Sequence, residues 1–221
     1  KNKTKKDVEE FVKKINKELP EAMELELENF YKRGIFVTKR EGGAAKKRYA
    51  LLDENNNLKI VGFEYVRRDW SKVAKQTQKQ VIEAVLKEGN PEKAIQIVRK
   101  VIQELRDGKI ANKELIVYTQ LTKSPHRYEL DAPHVNAAKK AMKRGKHFES
   151  GSIIDFIITK NGKSISEKAE IAEYVKEGDY DAEYYIENQV IPAVIKIIQE
   201  FGLNKEDLLF GGQQRKLSFF G

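Results

Sequence analysis

Two hydrophobic periods follow each other at the start of the chain. In residues 5–19 the apolar positions recur at three- and four-residue spacing, which predicts an amphipathic helix that Pro20 ends. Residues 23–31, MELELENFY, alternate strictly between apolar and polar positions. Because strand side chains point alternately to two faces, this alternation predicts a half-buried strand with Glu24, Glu26 and Glu28 on one face.

Three further strand-like runs occupy residues 35–66. They are IFVTK at 35–39, KRYALLD at 47–53 and LKIVGFEYV at 58–66. Three asparagines at 55–57 separate the last two runs, and asparagine favours tight turns because its side chain bonds to nearby backbone. We therefore predict a small antiparallel sheet preceded by an N-terminal helix.

A helical period replaces the strand pattern after Trp70. It predicts helices near 73–85 and 94–105, with Asn90 and Pro91 at the start of the second helix and Gly108 at its end. Strand-like segments at 114–121 and 152–159 flank a further helix near 135–144. A long helix follows Tyr180, and Pro192 is predicted to kink it because proline removes a backbone donor.

These patterns predict an α+β fold with a boundary near residue 70. The first domain comprises residues 1–70 and contains the small antiparallel sheet. The second comprises residues 71–208 and is mainly helical. Residues 209–221 end in GGQQRKLSFFG and are predicted to form a flexible tail.

Composition narrows the possible partners without selecting one. The chain has 221 residues, a net charge of +8 and a pI near 9.3. This charge fits a polyanionic partner such as nucleic acid, and it also fits a solvated lysine-rich surface. Without cysteine there are no disulfides or thiolate metal sites, and no long apolar run or signal-like N-terminus indicates a membrane or export. We therefore expect a cytoplasmic protein.

Four segments together resemble one family of enzymes. The segment YDAEYYIENQVIPAVIKIIQEFG at 180–202 is similar, almost residue for residue, to the last long helix of archaeal family B DNA polymerases. KKRYALLDE at 46–54, EYVRRDW at 64–70 and PHVNAAKKAMKRG at 133–145 match that family in the same order. The resemblance covers nearly the whole chain. It implies that residues 1–70 are the end of a polymerase palm and that residues 71–208 are the thumb.

The resemblance implies one component of a DNA-directed DNA polymerase. The family carries catalytic aspartates in a Tyr-x-Asp-Thr-Asp hairpin, which this sequence lacks. We therefore expect the small subunit of a split polymerase, inactive alone, which grips primer–template DNA while a large partner subunit holds most of the Mg²⁺. The alternatives are a fragment of a continuous family B polymerase and a free-standing DNA-binding or clamp-adaptor protein with a thumb-like fold.

We predict no catalytic role for the acidic residues of this chain. Asp179 and Asp181 form its single Asp-x-Asp sequence, which we interpret as a helix cap because it matches the entrance to the long thumb helix. A solvated face explains the three glutamates at 24–28, whereas the resemblance implies that Glu26 and Glu28 are accessory metal contacts. The three histidines do not have the spacing of a zinc site.

A basic cluster precedes the second predicted strand. Lys47, Arg48 and Tyr49 resemble the family's Lys-x-Tyr motif, in which the lysine reaches the minor groove near the primer end and the tyrosine contacts the DNA backbone. The segment EGGAA at 41–45 lies ahead of it, where many relatives run straight on, so the hairpin length stays open.

A second cluster lies at the boundary between the predicted domains. The resemblance implies that Arg67 and Asp69 hold primer phosphates and bases, and that Arg68 braces the local structure. A plain Arg–Asp pair that ties the two domains together is the alternative.

The helix near 135–144 carries a third basic cluster. Three- and four-residue spacing places several of its cations on one face, which fits either a sequence-independent grip on duplex phosphates or a solvated surface. These cations are Lys139, Lys140, Lys143, Arg144 and Lys146. His134 lies at the helix start, where backbone amides favour an anion.

The C-terminal sequence QQRKLSFF resembles the clamp-binding peptide of replication proteins, Gln-x-x-aliphatic-x-x-aromatic-aromatic. Counted from Gln213, the aromatic residues Phe219 and Phe220 are correctly placed, but Lys216 occupies the aliphatic position. Counted from Gln214, Leu217 fits and the aromatic pair comes one residue early. We predict that this tail binds a sliding clamp.

Overall fold

The computed structural model describes residues 5–38 and 44–210, and the sheet region (residues 5–70) contains a helix and a three-stranded sheet. The elements are α1 (Lys5–Asn16), β1 (Tyr31–Thr38), β2 (Ala44–Asp53) and β3 (Leu58–Val61), followed by a 3-10 turn at Glu64–Val66. The strands lie in the order β1-β2-β3 and pair antiparallel. This confirms the predicted small sheet with a preceding helix.

The β1–β2 hairpin loses its regular register near its tip. Phe36 pairs with Tyr49, but Thr38, two residues further along β1, pairs with Ala44, five residues back along β2. The surplus residues of β2 form a bulge that includes Lys47. A bulge bends its strand and redirects the side chains within it.

The helical region (residues 71–210) contains helices and a second small sheet. Its elements are α2 (Lys72–Leu86), α3 (Pro91–Arg106), α4 (Asn112–Leu115), β4 (Val117–Gln120), α5 (Pro133–Lys143), β5 (Ile153–Ile158), α6 (Ile165–Lys168), β6 (Ala169–Ile171), α7 (Ala182–Tyr185), α8 (Ile191–Gln199) and α9 (Lys205–Phe210). The strands lie in the order β4-β5-β6 and pair antiparallel. The predicted α+β class is thus confirmed, although the short strand β6 was not predicted.

The core of the helical region forms where α2 packs against α3 and α8. Two buried tyrosines connect the start of the last long helix to its surroundings. The Tyr180 hydroxyl donates to the Leu105 carbonyl at 3.0 Å, and the Ile158 N–H donates to the Tyr185 hydroxyl at 3.1 Å. Burial raises the pKa of both tyrosines, so they remain neutral donors and acceptors within the core.

The predicted strand at 23–31 is wrong for all but its last residue. Residues 23–30 have no regular secondary structure, and β1 begins at Tyr31. The Asn16 side chain instead binds the Leu25 backbone, donating to its carbonyl and accepting from its N–H, both at 2.8 Å. A strand requires a neighbour for its backbone hydrogen bonds, and the described residues provide none here.

Two further boundaries differ from the prediction. α1 ends at Asn16 rather than near residue 19. The third strand-like run ends at Val61, because Gly62 has a φ of 67° and turns the chain into the 3-10 turn. Positive φ is compatible with glycine but interrupts a strand.

Other sequence signals at the helix ends are confirmed. The Asn90 side chain accepts the Lys93 N–H at 2.9 Å, and Pro91 is the first residue of α3. The kink predicted from Pro192 stays a prediction, and a π-helical turn occupies Ile186–Val190, directly before α8. There the Ile191 N–H bonds to the Ile186 carbonyl five residues back, a spacing typical of π-helix.

Candidate nucleic-acid interface

Lys47 has an unusual backbone conformation in the hairpin bulge. Its φ of 57° lies in the left-handed region, which costs a non-glycine residue roughly 1–2 kcal/mol. Gly62 lies directly opposite, and a Cβ there would be 1.8 Å from the Lys47 carbonyl oxygen. This close approach fixes the backbone of Lys47 while its side chain remains exposed. Such strain is found most often at functional sites.

Arg48 points to the inner face of β2. Ala50 and Leu52, which share that face by strand alternation, are buried. The Arg48 guanidinium forms an ion pair with the buried Glu64 and lies 5.2 Å from the ring centroid of Phe63. The predicted DNA contact of Arg48 stays a prediction, but this geometry favours support of the hairpin from within.

Tyr49 points to the opposite, outer face of β2. Its ring centroid lies 5.9 Å from that of Phe36, which is 60% exposed. Exposed aromatic rings offer faces on which parts of a nucleic acid can stack. Lys47 and Tyr49 therefore present a cation and an aromatic pair on the surface of one hairpin.

Two buried polar residues behind this hairpin, Glu64 and Gln78, were not predicted from the sequence. The Gln78 side chain donates to a carboxylate oxygen of Glu64 at 2.7 Å and accepts the Tyr65 N–H at 2.7 Å. The available signals were a lone carboxylate in the apolar run GFEYV and a glycine inside a strand pattern. Such a glycine often marks close backbone approach.

The boundary cluster contains an Arg–Asp pair, but it joins Arg67 and Asp69 of the same segment, so the predicted tie between two domains stays a prediction. Arg67 donates from Nε and Nη2 to the two carboxylate oxygens of Asp69 at 3.0 and 2.6 Å, and this bonding raises the pKa of Arg67. The pair is about half exposed, so replacing Asp69 by a phosphate as the partner of Arg67 would cost little free energy. Arg68 is exposed and makes no ion pair or hydrogen bond within the described residues. The bracing role predicted for Arg68 therefore stays a prediction.

The basic cluster on α5 is largely occupied by partners within the protein. Lys139 pairs with Asp131, Arg144 with Glu170, and Lys146 with Glu173. Lys140 donates to the backbone carbonyls of Glu167 and Ala169. Within the described part of the chain, Lys143 is the member of this cluster that has no such partner.

The cation pairs around α5 remain compatible with phosphate binding. Half-exposed ion pairs contribute at most about 1 kcal/mol each, so a phosphate can replace a carboxylate at little cost. A groove of about 500 Å³ beside the helix is lined by His126, Asp131, Lys139 and Lys143, among others. The groove thus combines several cationic side chains with one carboxylate.

His134 adds little positive charge to this surface. Burial lowers its pKa, and its ring lies edge-to-face with Tyr128 at a centroid distance of 6.0 Å. The imidazole is therefore neutral near pH 7, where it can still donate one ring N–H.

The acidic residues do not by themselves fit a magnesium ion. Glu26 is exposed, and Glu28 pairs with Lys59, which raises the pKa of Lys59. Residues 5–38 and 44–210 contain no group of three or more histidine and carboxylate side chains that could hold a metal. Mg²⁺ requires a nearly octahedral set of oxygen ligands. The accessory metal role of Glu26 and Glu28 stays a prediction.

The Asp-x-Asp sequence has the capping role that the pattern indicated. The Asp181 carboxylate accepts the Tyr184 N–H at 3.0 Å at the start of α7, and it also pairs with Lys168 at 2.6 Å. Two carboxylates that follow this cap also have partners, since Glu183 pairs with Arg106 and Glu187 with Lys205.

Several predictions concern features that the described residues do not test. The tail residues Gln213, Gln214, Leu217, Phe219 and Phe220 lie outside the described residues, so clamp binding stays a prediction. The division at residues 70 and 208 also stays a prediction. Within the described part of the chain, none of the helices has the length and apolar character needed to span a bilayer.

Comparison with known proteins places this architecture among polymerase domains. The structure of the family B DNA polymerase from the archaeon Pyrobaculum calidifontis superposes with a TM-score of 0.70 and 30% sequence identity, covering 92% of this chain and 26% of that one. The family model for DNA polymerase family B matches residues 1–201. The chain belongs to DNA polymerase family B.

The curated relatives are longer than this chain. A DNA polymerase of Methanocaldococcus jannaschii is 51% identical over 211 residues, which are 96% of this chain and 12% of the relative. A DNA polymerase of Pyrococcus glycovorans is 46% identical over 201 residues, which are 90% of this chain and 25% of the relative. The chain therefore spans between about an eighth and a quarter of these relatives.

Proposed function

We propose that this chain is the palm end and thumb of a DNA-directed DNA polymerase. It grips primer–template DNA, while a larger polymerase component supplies the catalytic aspartates and holds most of the Mg²⁺. The observation that carries the proposal is the family match over residues 1–201. Residues 1–70 are the palm end, 71–208 the thumb and 209–221 the clamp-binding tail.

An apolar surface around α1, which the described residues leave uncovered, supports the need for a larger component. Although α1 is amphipathic, none of its residues is fully buried, and Phe11 is 58% exposed. Met23 is 61% exposed and begins the segment 23–30, which pairs with no strand among the described residues. A component that adds a strand beside residues 23–30 and covers α1 would satisfy both features.

The larger component has two possible origins. In the leading form of the proposal it is a separate subunit, and the two chains form a heterodimer. In the alternative it is another part of one continuous polypeptide. A free-standing DNA-binding or clamp-adaptor protein, in contrast, has no use for an uncovered surface around Phe11 and Met23.

The proposed grip on DNA has a primer-end part and a thumb part. Lys47 reaches the minor groove near the primer end, and Tyr49 lies beside it against the DNA backbone. The exposed Arg67–Asp69 pair opens to hold a primer phosphate. Lys143 and the weakly paired cations around α5 bind phosphates further along the duplex, independently of base sequence.

Co-purification followed by primer extension tests this function. The native protein is isolated from its source, its intact mass is measured, and its companions are identified. We expect a large polymerase chain, or a mass showing that both parts belong to one polypeptide. Extension of a primed template should require the large component. Mg²⁺-dependent synthesis by this chain alone would contradict the proposal, and so would purification without a polymerase component.

Substitutions on the uncovered surface sharpen this test. Phe11→Glu and Met23→Glu change exposed side chains, so the chain should keep its fold and lose association with the large component. Leu130→Glu is the matched control, because Leu130 is 83% exposed in the helical region. All three variants should unfold at similar temperatures, and only the first two should fail to restore extension.

A further inference from the structure

A continuous series of hydrogen bonds passes from the β1–β2 hairpin into two helices of the helical region. Arg48 of β2 donates to both carboxylate oxygens of Glu64, and Gln78 of α2 donates to one of these oxygens at 2.7 Å. The Gln78 amide also donates to the carbonyl of Ala193 in α8. Arg48, Glu64, Gln78 and Ala193 therefore form a buried polar chain across the junction of the two regions.

The hydrogen-bond pattern allows Gln78 a single orientation. Its nitrogen donates to two acceptors, and its oxygen accepts the Tyr65 N–H at 2.7 Å. An amide nitrogen has two donor hydrogens, so both are in use. Rotating the amide by half a turn would place its oxygen against the Glu64 carboxylate and its nitrogen against an N–H. Gln78 thus fixes Glu64 in position and is itself fixed by α8.

The buried polar chain ends beside the strained residue of the hairpin. Arg48 directly follows Lys47, and Gly62, which contacts the Lys47 carbonyl, lies two residues before Glu64. Two contacts therefore hold residues 47–48 against residues 62–64. They are the backbone contact between Lys47 and Gly62 and the Arg48–Glu64 ion pair. A left-handed lysine persists only where its surroundings determine its conformation in this way.

We propose that Glu64 and Gln78 are positioning residues for Lys47 and Tyr49. Through Arg48 they hold the primer-end hairpin at a fixed position on α2 and α8, so that Lys47 and Tyr49 follow the thumb helices as one unit. The consequence for extension rests on the proposed function. The effect on the hairpin itself does not, and it can be measured without DNA.

A second buried contact at the same junction provides a control. The Gln189 side-chain oxygen accepts from the Ser71 N–H at 2.9 Å and from the Ser71 hydroxyl at 3.0 Å. Both residues are buried, but neither bonds to Arg48, Glu64 or Gln78. Ser71→Ala removes one buried hydrogen bond of the junction and leaves the buried polar chain intact.

Hydrogen exchange of the 221-residue chain tests the positioning directly. Glu64→Gln keeps the side-chain shape and removes the charge opposite Arg48. We expect amides 47–49 to exchange on the order of ten-fold faster in Glu64→Gln and unchanged in Ser71→Ala. Gln78→Met leaves the Arg48–Glu64 pair and should therefore raise the exchange rate of amides 47–49 by less. It is the variant to measure if Glu64→Gln does not fold. Unchanged exchange at 47–49 in a folded variant would overturn the proposal.

Primer extension by the assembled polymerase then tests whether the effect passes through Lys47. Glu64→Gln alone should slow nucleotide incorporation about ten-fold or more, because small displacements near reacting groups have large effects. In a Lys47→Ala background it should cause little additional loss, whereas Ser71→Ala should have the same small effect in both backgrounds. If Glu64→Gln lowered the incorporation rate by the same factor with Lys47 and with Lys47→Ala, Glu64 would have only a general stabilising role. If wild-type protein does not extend primers, the proposed function fails, while the exchange result still decides the positioning.

Discussion

The Lys47 carbonyl oxygen occupies the space that a side chain on Gly62 would require. The two residues belong to neighbouring segments of the sheet region, and each has positive φ, 57° for Lys47 and 67° for Gly62. A Cβ on residue 62 would come within 1.8 Å of this oxygen and 2.9 Å of the Lys47 carbonyl carbon. Because both contacts are to backbone, no side-chain rotation can relieve them. The conformation of Lys47 is therefore tied to the absence of a side chain at position 62.

Replacing Gly62 by alanine should lower the free energy of unfolding by more than the positive φ of residue 62 alone explains. Gly108 is a matched control, with a φ of 70° and nothing within 4 Å of a Cβ built there. Gly108→Ala should cost about 1 kcal/mol in the free energy of unfolding. Gly62→Ala should cost roughly 1–3 kcal/mol more, because it also forces two backbones apart. Urea unfolding of both variants measures the difference, and equal losses would contradict the inferred contact.

Substitution of Lys143 should weaken duplex binding uniformly across DNA sequences. Lys143 lies in the last turn of α5 and is exposed without a partner in the described part of the chain. If it neutralises one phosphate, Lys143→Ala should lower the slope of log affinity against log salt by about one unit.

Lys140→Ala is the control for the salt-slope measurement. The Lys140 ammonium is bonded to the backbone carbonyls of Glu167 and Ala169. Its loss should therefore lower the thermal stability of the α5–β6 region and leave the salt slope nearly unchanged. If both substitutions lowered the salt slope equally, the hydrogen bonds of Lys140 inside the protein would not keep it from binding a phosphate as Lys143 does.

Local signals in the sequence predicted those elements whose stabilising contacts are also local. The Asn90 cap and the helix after it depend on residues within one turn, so their pattern sufficed. Residues 23–30 alternate as a strand does, but a strand also needs a neighbour, which the described residues do not provide. The short strand β6 was missed for the converse reason, because its three residues are held by pairing with β5.

The sequence predicted the exposed residues of the candidate site, but not the buried residues that hold them in place. Lys47 and Tyr49 form a motif within three consecutive positions, whereas Glu64 bonds to Arg48 and to Gln78 only after folding. Strand alternation could have placed Arg48 on the inner face beside Ala50 and Leu52, which would have indicated a buried partner of opposite charge. The hydrogen bond between Gln78 and Glu64, in contrast, depends on how α2 packs against the sheet region.

His134 should titrate below the usual histidine range. Burial lowers its pKa in the folded protein, whereas the unfolded chain has the ordinary value of about 6.5. The unfolded state therefore binds more protons just below that value. The contribution of His134 to stability should be fully present above the unfolded pKa and be lost as pH falls towards the folded pKa.

Two measurements check the titration of His134. The imidazole signals of His134, followed by NMR, should report a pKa below that of a histidine peptide. Urea unfolding near pH about 5 and about 8 should show a loss of stability at the lower pH that is smaller in His134→Gln. An unshifted NMR titration would contradict the burial of this side chain.

The tail should recruit a sliding clamp through its two terminal phenylalanines. Phe219 and Phe220 are adjacent aromatic residues that follow Gln213 and Gln214 in the order of a clamp-binding peptide. Because buried aromatic anchors dominate such interfaces, replacing both by alanine should cost about 2 kcal/mol or more in clamp affinity. Ser218→Ala is the matched control, since residue 218 is not an anchor in either alignment of the motif. Calorimetric titration of the tail peptide against the clamp of the same organism measures both variants. Extension of short primers without clamp should survive the double substitution, while long products made with clamp should be lost. If the wild-type peptide shows no binding, the phenylalanines have another role, such as packing against the larger polymerase component.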